Sequence, residues 1–412
     1  MKQHLVGGIS SLGRALPPLD GQDFIVAKSS GPYLWNGNGR RYIDTAMAMG
    51  ATLVGHAHPH VIEAVAKALE LGPMPGFAHA REEEAAAALA RNTGALDEVV
   101  FVNSGSEAVH LACRIARHVT GRRKIAKFAA AYDGWYDEVA FGTAGSPAAS
   151  MDGNRRPKRG DMVLLRYNDE QDLEQLFADH PDTAAILAEP VLANAGTVLP
   201  KPSYLARLQE TARRHGALVI ADEVLMGFRI ANGLAAHQLG LDPDLATVGK
   251  VIGSGIAVAA VLGKSAILGD LRSGKINRAG TYSGNPVACA AVIATAELLA
   301  QVDYARLLAS GDRLRASIRS AGEKAGVPLS TAGYGSVFTI WFNSAVPATY
   351  EEALAGSRPD LSLQLHLALR RNGVVTMPSA FGRMFLTPAH DDGVLGHIGD
   401  AVARCLSELA RS

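Results

Sequence analysis

Two ionisable side chains that each follow a short apolar segment are the strongest chemical signal in this sequence. Lys250 comes directly after residues 246–249, and Asp222 ends the apolar run 218–221. If both segments are strands of an open α/β sheet, the two side chains meet at the carboxyl edge, where such sheets bind ligands. A lysine can form an imine with an aldehyde, and an aspartate can pair with a pyridinium nitrogen. Pyridoxal 5′-phosphate (PLP) needs both groups, whereas either residue alone is more simply a surface lysine or a helix cap.

A segment of small residues at 103–108 follows a predicted strand and opens a predicted helix. Backbone amides at a helix N-terminus bind anions, and the hydroxyl of Ser106 adds a donor. Gly105 and Ser106 are therefore candidates to bind a phosphate, although helix capping by Ser104 or Ser106 would give the same pattern. The order along the chain favours the cofactor, because this segment precedes an aromatic residue, a carboxylate and the lysine.

Further candidates for cofactor binding lie near the ends of predicted elements. Tyr132 can place its ring on a flat cofactor while Gly134 lets the backbone approach closely, with core packing as the alternative use. Glu189 can hydrogen-bond near the phenolic oxygen of the cofactor or hold a neighbouring residue, and Asn194 has a donor that can reach that oxygen. Thr281 offers a hydroxyl to a phosphate, but a turn with a helix cap would look the same.

The bulk composition excludes several classes of function. In 412 residues, 40 basic side chains balance 40 acidic ones, which gives no electrostatic case for nucleic acid or an anionic membrane as a partner. Small molecules are expected instead. The three isolated cysteines fit reduced thiols in a cytoplasm. The apolar stretch after Met1 is too short for a signal peptide, and no apolar run has the roughly 18 residues of a membrane span.

Short apolar strands alternate with helical patterns through the middle of the chain. The alternation predicts an α/β fold with a mostly parallel central sheet and helices on both faces. The predicted strands are 99–102, 124–128, 162–165, 184–188, 218–221 and 260–262. The helical patterns lie near 106–119, 170–179, 203–215 and 286–299.

The two ends of the chain look different from the middle and predict a smaller α+β domain. Residues 1–55 form an N-terminal segment with a hairpin over 33–44 and substrate-side contacts, 56–300 form the large cofactor-binding domain, and 301–412 form the small C-terminal domain. The polar segment 142–161 is predicted to be a mobile surface loop bordering the site.

With these motifs in view, the chain resembles the class-III, fold-type I PLP-dependent aminotransferases. Within them it is most similar to the glutamate-1-semialdehyde 2,1-aminomutase group, and the likeness covers nearly the whole chain. Five motifs carry it in the same order, namely 103–108, 132–134, 189–190, 222–229 and 280–286.

The resemblance implies a role for residues in each motif. Lys250 would form the imine with PLP, and Asp222 would pair with the pyridine nitrogen. Tyr132 and Val224 would sandwich the ring. Gly105 with Ser106 would bind the phosphate. Thr281 would reach the phosphate of the neighbouring subunit, since the family is built on homodimers with shared active sites.

The resemblance also indicates substrate-binding residues, and here the sequence departs from the family. Ser11 and Arg14 match the two ends of a segment in which the aminomutase group carries an arginine for the substrate carboxylate. A surface arginine near the N-terminus is the alternative. Met49 stands in place of a tryptophan of the substrate pocket, Asp133 in place of a histidine, and Gly382 in place of a glutamate. These departures put the aminomutase substrate in doubt and leave the cofactor chemistry intact.

The sequence therefore predicts a homodimeric, cytoplasmic PLP-dependent aminotransferase acting on a small-molecule amino donor and a carbonyl acceptor of the β- or ω-amino acid, semialdehyde or keto sugar class. A 2,1-aminomutase acting on an amino-semialdehyde, a PLP-dependent epimerase and a non-catalytic PLP-binding homologue remain as alternatives. The histidines of segment 56–60 look like a metal cluster. Similar chains have a structural turn there, so no metal is expected.

Overall fold

The computed structural model describes residues 4–149 and 158–411. A central sheet of eight strands organises the chain. In spatial order the strands are β4 (Glu98–Val102), β11 (Ala259–Gly263), β10 (Leu245–Val248), β9 (Leu218–Asp222), β8 (Thr183–Ala188), β5 (Lys124–Phe128), β7 (Met162–Leu165) and β6 (Lys158–Arg159). The five strands from β10 to β7 run parallel, β11 is antiparallel to both of its neighbours, and β6 is antiparallel to β7. The predicted mostly parallel sheet is confirmed.

Helices cover both faces of this sheet. The described chain contains α1 (Met47–Gly50), α2 (Pro59–Glu70), α3 (Ala80–Ala90), α4 (Gly105–Thr120), α5 (Glu170–Asp179), α6 (Tyr204–Arg214), α7 (Ala235–Gln238), α8 (Ser265–Arg272), α9 (Pro286–Leu299), α10 (Tyr304–Ala325), α11 (Tyr350–Ala355), α12 (Pro359–Arg371) and α13 (Asp392–Leu409). Alternate residues of β8 enter two different cores. Ile186 packs in the core that includes α3 and α6, and Leu187 packs in the core that includes α4. Strands buried on both faces explain the continuous apolar runs of the sequence.

Two smaller sheets are built from the ends of the chain. The first contains β1 (Val26–Ser30), β2 (Tyr33–Asn36), β3 (Arg41–Asp44) and β14 (Val374–Val375), and the second contains β12 (Ser330–Tyr334), β13 (Val337–Trp341) and β15 (Arg383–Phe385). The predicted hairpin is confirmed as the antiparallel pair β2 and β3. Strand β1 was not predicted, because it is an edge strand whose first residues are exposed. Strand β14 pairs with β3 in parallel. The domain boundaries 1–55, 56–300 and 301–412 stay a prediction.

The polar segment 142–161 is only partly described, because residues 150–157 lie outside the described residues. Near its start, the backbone N–H of Gly145 donates to the hydroxyl of the buried Tyr350 over 2.9 Å. At its end, the short strand β6 pairs with β7, which the prediction of a loop did not anticipate. The part of the segment that can be described is therefore anchored to the rest of the fold at both ends.

The element α1 is a single left-handed turn. Met47, Ala48 and Met49 have φ angles of 42°, 51° and 58°, and Gly50 follows at 83°. Left-handed backbone costs roughly 1–2 kcal/mol for each non-glycine residue, so surrounding contacts must hold it. The side chain of Met47 is fully buried, and the buried guanidinium of Arg229 donates to the carbonyl of Gly50. This turn fixes the backbone at Met49, and a contact of Met49 with the substrate stays a prediction.

Within residues 4–149 and 158–411 the structure has neither a cluster of metal ligands nor a single helix suited to span a membrane. No group of three or more His, Cys, Asp or Glu side chains is arranged to hold a metal ion. His56 instead lies 2.8 Å from the carboxylate of Asp44, with both side chains buried. In the same ranges no single helix is long and apolar enough to cross a membrane. Helices α9 and α10 have the necessary length and apolar composition only when they are taken together, and they are bent by 79° relative to each other.

Candidate active site

Asp222 is placed by the register of two parallel strands. It ends β9 and lies opposite Thr247 of β10, whose hydroxyl donates to Asp222 Oδ1 over 3.0 Å. The backbone N–H of Val224 donates to the same oxygen over 3.0 Å. Because both bonds end on Oδ1, the other oxygen, Oδ2, can accept a proton donor from a ligand. Burial, followed by the charges of Asp133 and Glu189, raises the pKa of Asp222 well above its usual value.

Lys250 lies two positions beyond the end of β10 and therefore at the same edge of the sheet as Asp222. Its φ is 46°, an unusual value for a non-glycine residue and one that is often found at functional sites. Burial lowers the pKa of Lys250 to about 8, and the charge of Asp222 opposes this shift. A larger fraction of the amine is consequently unprotonated near neutral pH than in an ordinary lysine. The unprotonated amine is the nucleophilic form.

Lys250 and Asp222 open into one cavity of about 360 Å³. The cavity brings together most of the residues that the sequence predicted for the cofactor. These are Gly105, Ser106, Tyr132, Gly134, Glu189, Asp222, Val224 and Lys250. Residues that are far apart in the chain thus converge at the carboxyl edge of the central sheet, as ligand sites in α/β proteins do.

One end of the cavity is suited to an anion. Helix α4 begins there with a capping box, in which Ser104 Oγ accepts from the N–H of Glu107 and the carboxylate of Glu107 accepts from the N–H of Ser104. This arrangement leaves the next two amides, those of Gly105 and Ser106, available to a ligand. Gly134 has a φ of +114°, and a Cβ there would lie 2.8 Å from Ser106 Oγ. A side chain at position 134 would therefore fill the place that a phosphate needs.

The middle of the cavity is lined by side chains suited to a flat ring. Val224 fits closely between two glycines, because a Cβ on Gly105 would lie 2.9 Å from Val224 Cγ1 and one on Gly249 would lie 3.4 Å from the same atom. Tyr132 lines the same cavity, and its backbone N–H donates to Glu189 Oε1 over 2.8 Å. The residues present thus fit PLP: a lysine, a carboxylate for the ring nitrogen, apolar and aromatic ring contacts, and free amides for the phosphate.

Glu189 organises the loop that follows β8. Its Oε2 accepts from the N–H of Ala193 over 3.2 Å and from Asn194 Nδ2 over 3.5 Å. Burial first, and then the charge of Asp133, raises the pKa of Glu189 to about 7. Asn194 is therefore tied to Glu189 and is not among the residues that line the cavity. A direct contact of Asn194 with the cofactor stays a prediction.

The remaining predicted residues lie outside this cavity. Ser11 and Arg14 are exposed, and Met49 is half-buried. A Cβ on Gly13 would lie 2.8 Å from Met49 Cε, so the N-terminal segment runs directly over Met49. Thr281 is exposed. Its neighbour Gly280 and the phosphate-end residue Ser106 both line a second, larger cavity of about 830 Å³.

Arg383 is a buried charge near the site that was not predicted from the sequence. It lies buried on β15, and its Nη1 donates to the carbonyl of Ala193 over 2.9 Å. Its Nε has no acceptor among the described residues. Burial lowers the pKa of Arg383 to about 10, while the charge of Glu189 opposes that shift. Its own charge helps to lower the pKa of Lys250. The one signal in the sequence was its position directly after Gly382, where the family pattern breaks.

Comparisons with known proteins agree with this geometry. The family model described as Aminotransferase class-III matches residues 19–407. The chain is 35% identical to a glutamate-1-semialdehyde 2,1-aminomutase of Thermomicrobium roseum, with 100% of this chain and 97% of that protein aligned. An omega-transaminase from Sphaerobacter thermophilus superposes with a TM-score of 0.91 at 30% identity, covering 99% of this chain and 95% of that one. A transaminase with PLP bound gives a TM-score of 0.88 at 28% identity, covering 99% and 96%.

Proposed function

Because the chain belongs to the class-III aminotransferase family, we propose that it is a PLP-dependent enzyme that transfers an amino group from a small-molecule donor to a carbonyl acceptor. The observation that carries this proposal is the convergence of Lys250, Asp222 and the free amides of Gly105 and Ser106 on one cavity. The donor and acceptor belong to the β- or ω-amino acid, semialdehyde or keto sugar class, in which the amino compound is the donor and the carbonyl compound is the acceptor.

Each residue of the cavity has a task in this chemistry. When bound, PLP supplies an electron sink that stabilises negative charge on the reacting carbon of the substrate. Lys250 attaches the cofactor, and its amine then holds and moves the proton of that carbon. Asp222 keeps a proton on the ring nitrogen through Oδ2. Gly105 and Ser106 bind the phosphate, and Tyr132 and Val224 flank the ring.

An intramolecular 2,1-aminomutase or an epimerase would use the same residues. The difference is whether the amino group leaves with a second substrate. The proposal of a transaminase is supported by the departures at Met49 and Gly382, where the aminomutase group carries other residues. The fate of the amino group tests this proposal. When a transaminase is given only the amino donor, it should form one equivalent of carbonyl product per active site and then stop. Product formed from a single substrate without a donor would make the chain an aminomutase or epimerase instead.

Two arginines are candidates to bind the carboxylate of a substrate. Arg14 was predicted from the sequence and is exposed on the segment that covers Met49. Arg383 is buried, and its charge acts on Lys250. We propose that both are used, the buried Arg383 acting near Lys250 and Arg14 from the N-terminal segment that covers Met49. A guanidinium suits a carboxylate because it can donate two parallel hydrogen bonds.

We expect Arg14→Ala and Arg383→Gln each to raise KM for carboxylate substrates by roughly 10-fold to 100-fold, because a charge-assisted hydrogen bond contributes about 1.5–3 kcal/mol. PLP retention should change far less in Arg14→Ala. Steady-state kinetics with a carboxylate donor and with its decarboxylated amine provide the measurement. Arg315→Ala is the control, since this arginine pairs with Asp312 outside the cavity. An unchanged KM for every carboxylate would remove that arginine from the substrate site.

We also propose a homodimer with shared active sites. Three exposed aromatic side chains support it: Phe77 is 85% exposed, Trp135 77% and Tyr282 65%. Trp135 and the chain neighbours of the other two, Ala78 and Ser283, line the same cavity of about 830 Å³, so the three belong to one region of the surface. A contiguous exposed apolar region of this kind marks a surface that binds a partner. Tyr282 is next to Thr281, which would complete the phosphate site of the other protomer.

Thr281→Ala is expected to weaken PLP retention by about tenfold or more without unfolding the protein, because a hydroxyl bonded to a charged phosphate contributes about 1.5–3 kcal/mol. Equilibrium dialysis of PLP and sedimentation of the holoenzyme measure the two effects. Ser273→Ala serves as the control, since Ser273 lies at the end of α8 and bonds to the carbonyl of Asp270. A fully active monomer at micromolar concentration would rule out the shared site.

A cytoplasmic location remains part of this proposal. Cys113, Cys289 and Cys405 are buried free thiols, which suits a reducing compartment. Burial raises the pKa of Cys113 to about 12, so this thiol is unreactive at neutral pH.

A further inference from the structure

A buried ion pair lies beside the cofactor cavity and has no part in the chemistry described above. Lys127 Nζ on β5 lies 2.8 Å from Asp133 Oδ2, and neither side chain is exposed to solvent. Within the described residues, neither oxygen of Asp133 accepts a hydrogen bond of normal geometry. A buried carboxylate whose hydrogen-bonding capacity is unused needs a physical explanation.

The pair supports the turn that lines one side of the cavity. Lys127 Nζ donates to the carbonyls of Ala131, over 3.3 Å, and Val139, over 2.6 Å. These carbonyls lie on the two sides of the turn 132–134. Within that turn, Tyr132 is held by Glu189 and Gly134 packs on Ser106. Asp133 therefore sits between the ring-side tyrosine and the phosphate end of the cavity.

The two charges of the pair are not equally placed. Asp133 is one of the residues that line the cavity, and Lys127 is not. The cavity therefore faces the negative end of the pair. After burial, Asp133 is the largest cause of the raised pKa values of both Asp222 and Glu189, which agrees with this placement. An ionised carboxylate in this position increases the affinity of nearby groups for a proton.

Other groups around Asp133 do not cancel its charge. Burial, with a further contribution from the charge of Asp133, raises the pKa of both Cys113 of α4 and Tyr136. Both side chains are therefore neutral near pH 7. Asp222 and Glu189 are carboxyl groups. Lys127 is the cation that pairs with Asp133. Asp222, Arg383 and Glu189 are the charged side chains that act on Lys250 most strongly.

We propose that Asp133, paired with Lys127, is a positioning residue that acts as a second carboxylate beside Asp222 and favours the protonated form of the cofactor held by Lys250. The proposal rests on the PLP chemistry proposed above. Asp133 holds the turn of Tyr132 and Gly134 through Lys127, and its negative charge raises the pH at which the bound cofactor loses its proton.

The pH midpoint of the visible absorbance of the holoenzyme tests this inference without measuring activity. Asp133→Asn removes the carboxylate charge, leaves the ammonium of Lys127 uncompensated and is expected to lower the midpoint by about one pH unit or more. The double variant Lys127→Met with Asp133→Asn removes both charges and protects against misfolding from an unpaired buried ammonium. Its midpoint should fall between those of the wild type and Asp133→Asn, since the carboxylate is the charge nearer the cofactor.

Asp172→Asn is the matched control, because Asp172 is a buried carboxylate paired with Arg166 over 2.7 Å outside the cavity. It should lower thermal stability and leave the midpoint unchanged. Midpoints of Asp133→Asn and the double variant that match the wild type would overturn the inference and leave the pair a purely structural one. Absence of visible absorbance in the wild type mixed with PLP would instead overturn the proposed function itself, so the two failures are distinguishable.

Discussion

Replacing Lys250 with alanine is expected to abolish covalent attachment of PLP and to reduce turnover by roughly 10²–10⁴-fold or more, the range by which a positioned acid–base group accelerates a reaction. No other described lysine lines the cavity with Asp222. The loss therefore cannot be compensated by a neighbouring amine. The purified wild-type protein should absorb in the visible range with PLP, and the variant should not.

Borohydride reduction followed by peptide mass analysis gives the sharpest measurement. The cofactor mass should appear on the peptide that contains Lys250 in the wild type and on no peptide of Lys250→Ala. Lys264→Ala is a control, because Lys264 directly follows β11 of the central sheet but pairs with Asp244 over 3.3 Å. A normal lysine-linked chromophore in Lys250→Ala would refute the assignment.

The second large effect is expected for Asp222→Asn. The neutral amide cannot hold a positive charge on the ring nitrogen, and removing one preorganised electrostatic group from a buried site typically costs about 10²–10³-fold in turnover. Asparagine keeps the shape of the side chain and can still accept the hydrogen bonds from Thr247 and Val224. The deficit should therefore be chemical rather than structural. Steady-state kinetics at saturating PLP measure it.

Asp222→Asn should lower turnover, but it is not expected to lower the stability of the apoprotein. Burial raises the pKa of Asp222, so the folded apoprotein binds this proton more tightly than the unfolded chain does. Stability from this group is then present at low pH and is lost as the pH rises above the usual aspartate range. An uncharged asparagine avoids that loss, and Asp222→Asn should not lower the melting temperature of the apoprotein at neutral pH.

Glu223→Gln controls for the removal of a buried carboxylate from the same strand end. Glu223 is buried, and its Oε1 accepts from the N–H of Ala236 over 2.6 Å on the other side of the chain from Asp222. Its turnover should stay close to that of the wild type. Turnover of Asp222→Asn within about threefold of the wild type would contradict the role of Asp222.

Much of the fold was readable in the sequence because its signals are local. The strands that precede Lys250 and end in Asp222 are apolar on both faces, as strands in a covered parallel sheet must be. The helix over Pro286–Leu299 begins with a proline after a capping asparagine, and its bounds agree with the prediction. Because Asp222 ends one strand and Lys250 follows the neighbouring parallel strand, both side chains lie at the same edge of the sheet.

The sequence by itself therefore determined the class of fold and the meeting of Lys250 and Asp222 at one edge of the sheet, because strand ends are encoded locally. The order of the five motifs and their resemblance to the class-III aminotransferases pointed to PLP. Only the tertiary structure decided that Arg383 bonds to the carbonyl of Ala193, that Asn194 bonds to Glu189, and that Lys127 pairs with Asp133. Each of these contacts depends on how a loop or distant strand packs against another element. No local periodicity encodes that packing, since it is selected by burial and charge pairing across the whole core.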